Sequence, residues 1–400
     1  MRKFKKNSLA FVAMLLSVVL ATSCTKDENT FGRGFDPYLI TEAHITDSTY
    51  YADKSFTAYN FVYPSKDPYG NDVMLSGTIT FGDEVKDGAY AKGLMLYNHY
   101  TVYRADQCPS KGFLSDQKFF SLLSLITVSP DYYGFGTTES KNQGYCISQA
   151  NAQAAVDALL AAKQIMAAKG YSWGDRLFNL GYSQGGQTTM GVVRLVAERY
   201  PDIDITYTFA GAGVYDLPET YRQFISATIA GVPSTVVSVM LAYNQYKNLG
   251  IAREAMLTEP VLSHIDDWIL SKRYTLEEID EIIGPLTVDQ YTTETMRDTT
   301  SSLSHTMMAA LDLDNLCKGW TPRGNEKIML FHSSKDDFVP VANTYNMYNF
   351  LIGSGLSSDN IDLDIEDIGP AGDTPAHKNA STTFALKATY KMIELTSGDK

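Results

Sequence analysis

Cysteine is scarce in this chain of 400 residues: there are four, and no Cys/His cluster has the spacing of a zinc site. Neither H-E-x-x-H nor G-x-x-x-x-G-K-[ST] occurs, so zinc-peptidase chemistry of that type and phosphate-cradling nucleotide hydrolysis are not expected. No metal and no cofactor is called for. Positive charge is also in deficit, with 33 Lys and Arg against 46 Asp and Glu and a formal net charge of -13. An acidic body repels phosphates and no dense Lys/Arg patch offsets it, which argues against nucleic acid as a partner. Long apolar runs are missing too. The one from Leu9 to Leu20 falls short of the roughly 20 residues that a membrane-spanning helix needs.

That run belongs to a leader. "MRKFKKNSLAFVAMLLSVVLATSC" joins a basic stretch, the apolar run and small residues ahead of Cys24, the pattern of a signal peptide over residues 1–23. Residues 21–24, "ATSC", resemble a bacterial lipobox, with Ala21 where an aliphatic residue is usual. The resemblance implies lipidation at Cys24, which would become the new N-terminus. "TKDEN" just beyond resembles the Lys-acidic-acidic signal of surface lipoproteins in Bacteroidetes-type bacteria. It implies a lipid-anchored protein of the outer membrane or cell surface, touching the membrane through the lipid alone. The alternative is a periplasmic or secreted protein cleaved near Ser23. Loss of residues 1–23 removes Arg2, Lys3, Lys5 and Lys6 and takes the formal charge to -17. Of the cysteines left after Cys24, one pair among Cys108, Cys146 and Cys317 could bridge in an oxidising compartment.

Residues 24–40 read as a tether. "FTAYNFVYPS" and "VMLSGTITFG" alternate as adjoining strands around the turn "KDPYGND", and "GLMLYNHY" is the next apolar strand. "FFSLLSLITVSPDYYGFG" runs from a helix into a buried strand and a glycine-rich loop, and 148–168 is an alanine-rich helix closed by Gly170. Strands alternating with helices imply a mostly parallel sheet flanked by helices, an α/β fold. From Leu217 to Trp320 the periodicity is helical, and "KIMLFHSS" then restores a buried strand. The chain thus divides into core (41–216), helical cap insertion (217–320) and core again (321–400). No internal repeat or low-complexity tract interrupts it.

The stretch "NLGYSQGGQ" carries G-x-S-x-G with Ser183 at its centre. The spacing alone is weak, but an apolar strand, "DRLFNLGYS", precedes it and an amphipathic helix ending before Pro201 follows. Gly181 and Gly185 let strand and helix approach around a strained serine. A serine hydroxyl needs a base, and the base needs an acid to orient it. On an elbow of this kind the order is Ser, Asp/Glu, His, each on a loop after a later strand. "IMLFHSSKDDFVP" supplies Asp336 and Asp337 after a strand, and the next strand leads into a long loop holding His377, the one histidine of six beyond residue 336. Asp336 is favoured as the acid, with Asp337 a solvated neighbour and His332 structural.

Taken together, the chain resembles the α/β-hydrolase superfamily over nearly all of residues 24–400. "GYSQGG" matches the elbow, "DDFVP" the D-x-x-V-P around the acid at Asp336, and "SPDYYGFG" the D-x-x-G-x-G loop after the fourth strand. "YPSKDPYGNDVMLSGTITF" with a cap between the sixth and seventh strands is most similar to the secretory lipase branch, then to prolyl-oligopeptidase-like esterases. The resemblance implies an oxyanion hole of the Gln184 N–H and a donor after the third strand. There the chain reads "NHYTVY" without the usual His-Gly-Gly, so that donor is assigned to Tyr100, with Thr101 as alternative and His99 read as strand-end packing.

The function expected is hydrolysis of a small-molecule or glycan-linked carboxylic ester, acetyl and feruloyl esters included, by Ser183, His377 and Asp336 through an acyl-enzyme. A peptidase on short peptides shares the triad. Peptidases of this fold often carry a β-propeller, for which the roughly forty residues ahead of the first strand leave no room, so esters are preferred. A non-catalytic surface lipoprotein binding glycan or peptide is the rival of another class, since 26 tyrosines could build sugar platforms. "DNIDLDIED" suits a half-exposed strand better than a calcium site, and "EEIDE" a solvated helix face better than a glycosidase pair.

Overall fold

The computed structural model describes residues 41–47, 54–112, 120–121, 123–226 and 232–397. The leader, Cys24 and the tether lie outside the described residues. Nine strands form one sheet: β1 (Thr41–Asp47), β2 (Lys54–Lys66), β3 (Asp72–Gly82), β4 (Ala91–Asn98), β5 (Leu125–Pro130), β6 (Trp173–Tyr182), β7 (Tyr207–Gly211), β8 (Ile328–Ser333) and β9 (Ile361–Glu366). Their order is β1-β2-β3-β5-β4-β6-β7-β8-β9. The first three strands and the β3–β5 pair are antiparallel, and from β5 to β9 all pairs are parallel. Strand order reverses at β4, so the crevice beyond the carboxyl ends of β4 and β6 is where such a sheet holds its ligand. This is the α/β-hydrolase fold.

Among the described residues eight longer helices flank the sheet: α1 (Ser148–Ala168), α2 (Gln184–Arg199), α3 (Leu217–Ser226), α4 (Pro233–Tyr246), α5 (Leu276–Ile283), α6 (Ser302–Asp312), α7 (Ala342–Gly353) and α8 (Ala376–Thr396). Alternate residues of the parallel strands face opposite layers. Leu94 and Leu96 of β4 pack towards α1, and Ala210 and Leu330 towards Met190 of α2 and Met347 of α7. Met95, Phe178, Phe209 and Phe331 face Phe384, Ala388 and Met392 of α8. Both faces are therefore apolar, which explains the near-continuous hydrophobic runs of β5 and β8. Edge strand β9 has one covered face. Its acids are held by side chains: Asp362 accepts from the Tyr207 hydroxyl, and Asp364 and Glu366 pair with Lys387.

Helices α3 to α6 fall between β7 and β8, and their apolar faces join the layer built on α1. A buried carboxylate fastens this segment to the core. Asp314, just after α6, accepts from Ser148 Oγ (3.0 Å) and Gln149 N (3.1 Å) at the start of α1, and Lys247 after α4 pairs with it at 2.7 Å. It satisfies first-turn donors of α1 for which Ile147 offers no side-chain acceptor. Two differences from the sequence reading stand out. β1 was not read as a strand, because "TEAHITD" shows no sustained apolar alternation and holds its place by pairing with β2. Cys108, Cys146 and Cys317 are all free thiols. Cys108 packs with Val102 and Phe135, whereas Cys317 lies beside the cluster of Trp320, so no bridge joins them.

Candidate active site

Ser183 stands at the turn between β6 and α2 with φ 59° and ψ -122°, in the left-handed half of backbone space that a non-glycine residue occupies at a cost of about 1–3 kcal/mol. The neighbouring glycines permit it. A β-carbon on Gly181 would lie 2.3 Å from the Gly185 carbonyl oxygen, one on Gly185 2.1 Å from that of Asn98, and one on Gly186 2.3 Å from that of Gly211. Helix α2 thus sits directly against the ends of β4 and β7. The Ser183 N–H donates to the Gly211 carbonyl at 2.9 Å, and the Ser183 side chain does not cap its own helix. The hydroxyl instead lines a cavity of about 840 Å³.

His377 lines the same cavity. The structure places it in the first turn of α8, not in the loop expected from sequence, because Pro375 takes the N-cap position and the helix starts at Ala376. Its Nδ1 is 2.6 Å from Asp336 Oδ2, and its ring is flanked by Phe338 (centroids 5.1 Å) and Tyr182 (5.0 Å). Asp336 Oδ1 accepts from the Phe338 and Val339 N–H groups at 2.9 and 2.7 Å. Burial pushes the Asp336 carboxyl up, but His377 and His332 push it down further, and it ends well below the usual carboxylate range. It is a carboxylate at any ordinary pH.

His332 does more than pack. Its Nε2 is 2.9 Å from the Val339 carbonyl and 3.3 Å from Asp336 Oδ2, and its Nδ1 faces Thr344 Oγ1 at 2.7 Å. It fixes the loop that presents the acid. Asp337 is not the solvated bystander expected either. Although exposed, it accepts from the Ala376 and His377 N–H groups, both at 3.0 Å. No sequence signal pointed to this, because the capping carboxylate lies 39 residues from the helix it caps.

Gln184, Tyr100 and Thr101 line the cavity beside Ser183, whereas His99 does not. His99 is 1% exposed, its ring packs tilted against Tyr132 with centroids 4.2 Å apart, and its Nδ1 lies 2.6 Å from the Tyr100 carbonyl oxygen. Burial lowers its pKa, so it is a neutral ring that holds the shape of the "NHYT" turn from behind. Asp131 of "SPDYYGFG" is also support: buried, it accepts from Ser76 Oγ (2.5 Å), Ser110 Oγ (2.6 Å) and Ser110 N (2.8 Å).

A strained serine at a strand–helix turn and an imidazole oriented by a buried carboxylate share one apolar cavity. A family model described as secretory lipase matches residues 123–367, more than half of the chain. The chain belongs to the secretory lipase family. Among solved structures, the chain is similar to the rice cell wall degrading esterase LipA from Xanthomonas oryzae, with a TM-score of 0.71 and 19% identity over 89% of this chain and 96% of that one. It is also similar to Candida antarctica lipase A in its closed state, with a TM-score of 0.65 and 15% identity over 89% of this chain and 82% of that one. No curated protein sequence matches it. Family and fold place the chain among hydrolases of the lipase and esterase type. Among the described residues no helix is long and apolar enough to cross a membrane.

Proposed function

We propose that the chain hydrolyses carboxylic esters through an acyl-enzyme on Ser183. His377 takes the serine proton through Nε2 as the hydroxyl attacks the acyl carbon, and passes it to the departing alcohol. Water then attacks the acyl-enzyme by the same route, returning the serine. Asp336 holds Nδ1–H and thereby the tautomer with Nε2 free to accept. The oxyanion of each tetrahedral intermediate is assigned to the Gln184 N–H at the start of α2, where the helix dipole favours negative charge, and to a backbone donor of the Tyr100–Thr101 turn. The observation that carries this reading is the 2.6 Å Asp336–His377 pair facing the cavity that Ser183 enters from a strained turn.

The cavity also supports a substrate class. Its walls include Phe120, Leu180, Leu217, Phe224, Val236 and Leu311. Glu277 and Lys378, the charged pair among its lining residues, are joined to each other. Among the described residues, a short peptide with a charged terminus therefore finds no spare counter-charge, while an ester with a bulky apolar acyl or alcohol group replaces water against apolar walls. Feruloyl esters of glycans are the second reading, supported by Tyr100, Tyr145 and Tyr221 in the lining; acetyl esters would leave most of the space unfilled. For location we propose secretion, with lipidation at Cys24 as the anchor.

A fluorophosphonate probe and a panel of p-nitrophenyl esters test the activity. The wild type is expected to label and to turn over longer acyl chains faster than acetyl. Ser183→Ala should lose labelling and about 10⁴-fold or more of kcat. Labelling of the variant at the wild-type rate would place the nucleophile elsewhere. Since Asp336 stays ionised far into acid, a fall in the rate at saturating substrate on the acid side should not come from this carboxyl. A rate that stayed flat into strong acid would remove His377 as the base.

A further inference from the structure

The backbone of His377 is held at both ends. As the second residue of α8, its N–H lies among the first-turn donors that have no partner within the helix, and Pro375 has no side-chain acceptor to offer. The Asp337 carboxylate receives this N–H on Oδ1 and that of Ala376 on Oδ2, each at 3.0 Å. On the other side, the Tyr182 hydroxyl donates to the His377 carbonyl at 2.7 Å. The two holding residues have telling neighbours in the chain. Tyr182 immediately precedes Ser183, and Asp337 immediately follows Asp336.

We propose that Asp337 and Tyr182 are positioning residues for His377, acting through its backbone as Asp336 acts through its ring. The inference rests on the serine-hydrolase reading above. Its physical basis is geometric. The imidazole must reach the serine proton on one side and the acid on the other, and a misplacement of about 1 Å can reduce a rate about 100-fold. Asp336 fixes the distance to the acid and Phe338 and Tyr182 flank the ring, which leaves the backbone that carries it free to shift. Fixing the peptide groups on both sides of the base removes this freedom. A carboxylate suits the first position because it takes two N–H groups at once and is attracted by the N-terminal end of a 21-residue helix. A phenol suits the second. Burial, with Asp336 and Asp337 nearby, pushes its pKa up, so it remains a donor at any working pH.

Kinetics of Asp337→Ala, Asp337→Asn and Tyr182→Phe on p-nitrophenyl butyrate test the proposal, at a temperature where circular dichroism shows each folded. Asp337→Ala and Tyr182→Phe should each lower kcat by about 10- to 100-fold with KM within about twofold of wild type. Asp337→Asn, which keeps one acceptor oxygen, should fall between. The decisive readout is coupling. In an Asp336→Asn background, where the ring is no longer oriented, Asp337→Ala should cost less than about threefold more, because residues that serve one group are not additive. Should Asp337→Ala prove insoluble, Tyr182→Phe in the same two backgrounds gives the same comparison. Wild-type kcat in the folded single variants overturns the proposal. So does an equal penalty in both backgrounds, which would make the contacts independent structural ones. Failure of the underlying reading is a separate result, seen as esterase activity surviving Ser183→Ala.

Discussion

Asp336→Asn is expected to lower kcat by about four orders of magnitude while leaving KM nearly unchanged. The two oxygens of Asp336 have different clients. Oδ1 receives the Phe338 and Val339 N–H groups, and Oδ2 receives His377 Nδ1. An asparagine has one oxygen. Pointed at His377, it leaves its amide hydrogens facing two backbone donors at under 3 Å. Turned the other way, it satisfies the loop and presents an amide N–H to Nδ1. That selects the tautomer with the proton on Nε2, which cannot accept from Ser183. The second arrangement keeps more hydrogen bonds, so the variant should fold with a base of the wrong tautomer. Steady-state kinetics and circular dichroism check this. A folded variant within tenfold of wild-type kcat would take the orienting role from Asp336. The variant should also be less stable near neutrality. A carboxyl lowered in the folded state contributes stability above its unfolded pKa, and loses it progressively as pH falls from there through the lowered value.

The second large effect falls on stability. Gly185→Ala should lower unfolding free energy by more than about 3 kcal/mol or yield no soluble protein. The added carbon would meet Asn98 O at 2.1 Å and His99 O at 2.9 Å, both backbone atoms at the end of β4. Neither can swing aside as a side chain would, so α2 would have to leave the sheet. Any folded fraction should also lose activity, since the same shift carries the Gln184 N–H away from the Tyr100–Thr101 turn. Gly353→Ala at the end of α7 is the control: its β-carbon meets nothing within 4 Å, and the change should be neutral or slightly stabilising. Urea unfolding of both variants decides it. Equal midpoints would contradict the close approach of α2 to β4.

Most of the local structure was legible because its causes are local. The 21 residues of α1 follow from an alanine-rich run stopped by Gly170, whose φ is +80°, and the β2–β3 turn from "KDPYGND". Ser183 could be found because an elbow needs small residues at fixed offsets between a strand and a helix, and all of those lie within a dozen positions. Asp336 and His377 could be paired from sequence because the fold places them after successive strands, so order in the chain stands in for distance in space.

What escaped the sequence was whatever depends on groups that meet only when the chain closes. The capping of α8 by Asp337, the hold of Tyr182 on His377 and the anchoring of two serines by Asp131 each join residues far apart in the chain, whose spacing carries no periodic signal. The "DD" pair shows the division most clearly. Sequence supplied two adjacent carboxylates, chemically alike and one bond apart in the chain. Only the tertiary structure gave them different work. Asp336 is buried against two imidazoles, whereas Asp337 meets the N-terminus of α8 at the surface. A residue's type and local pattern fix what chemistry it can do, and the environment assembled from distant segments fixes which of those chemistries it performs.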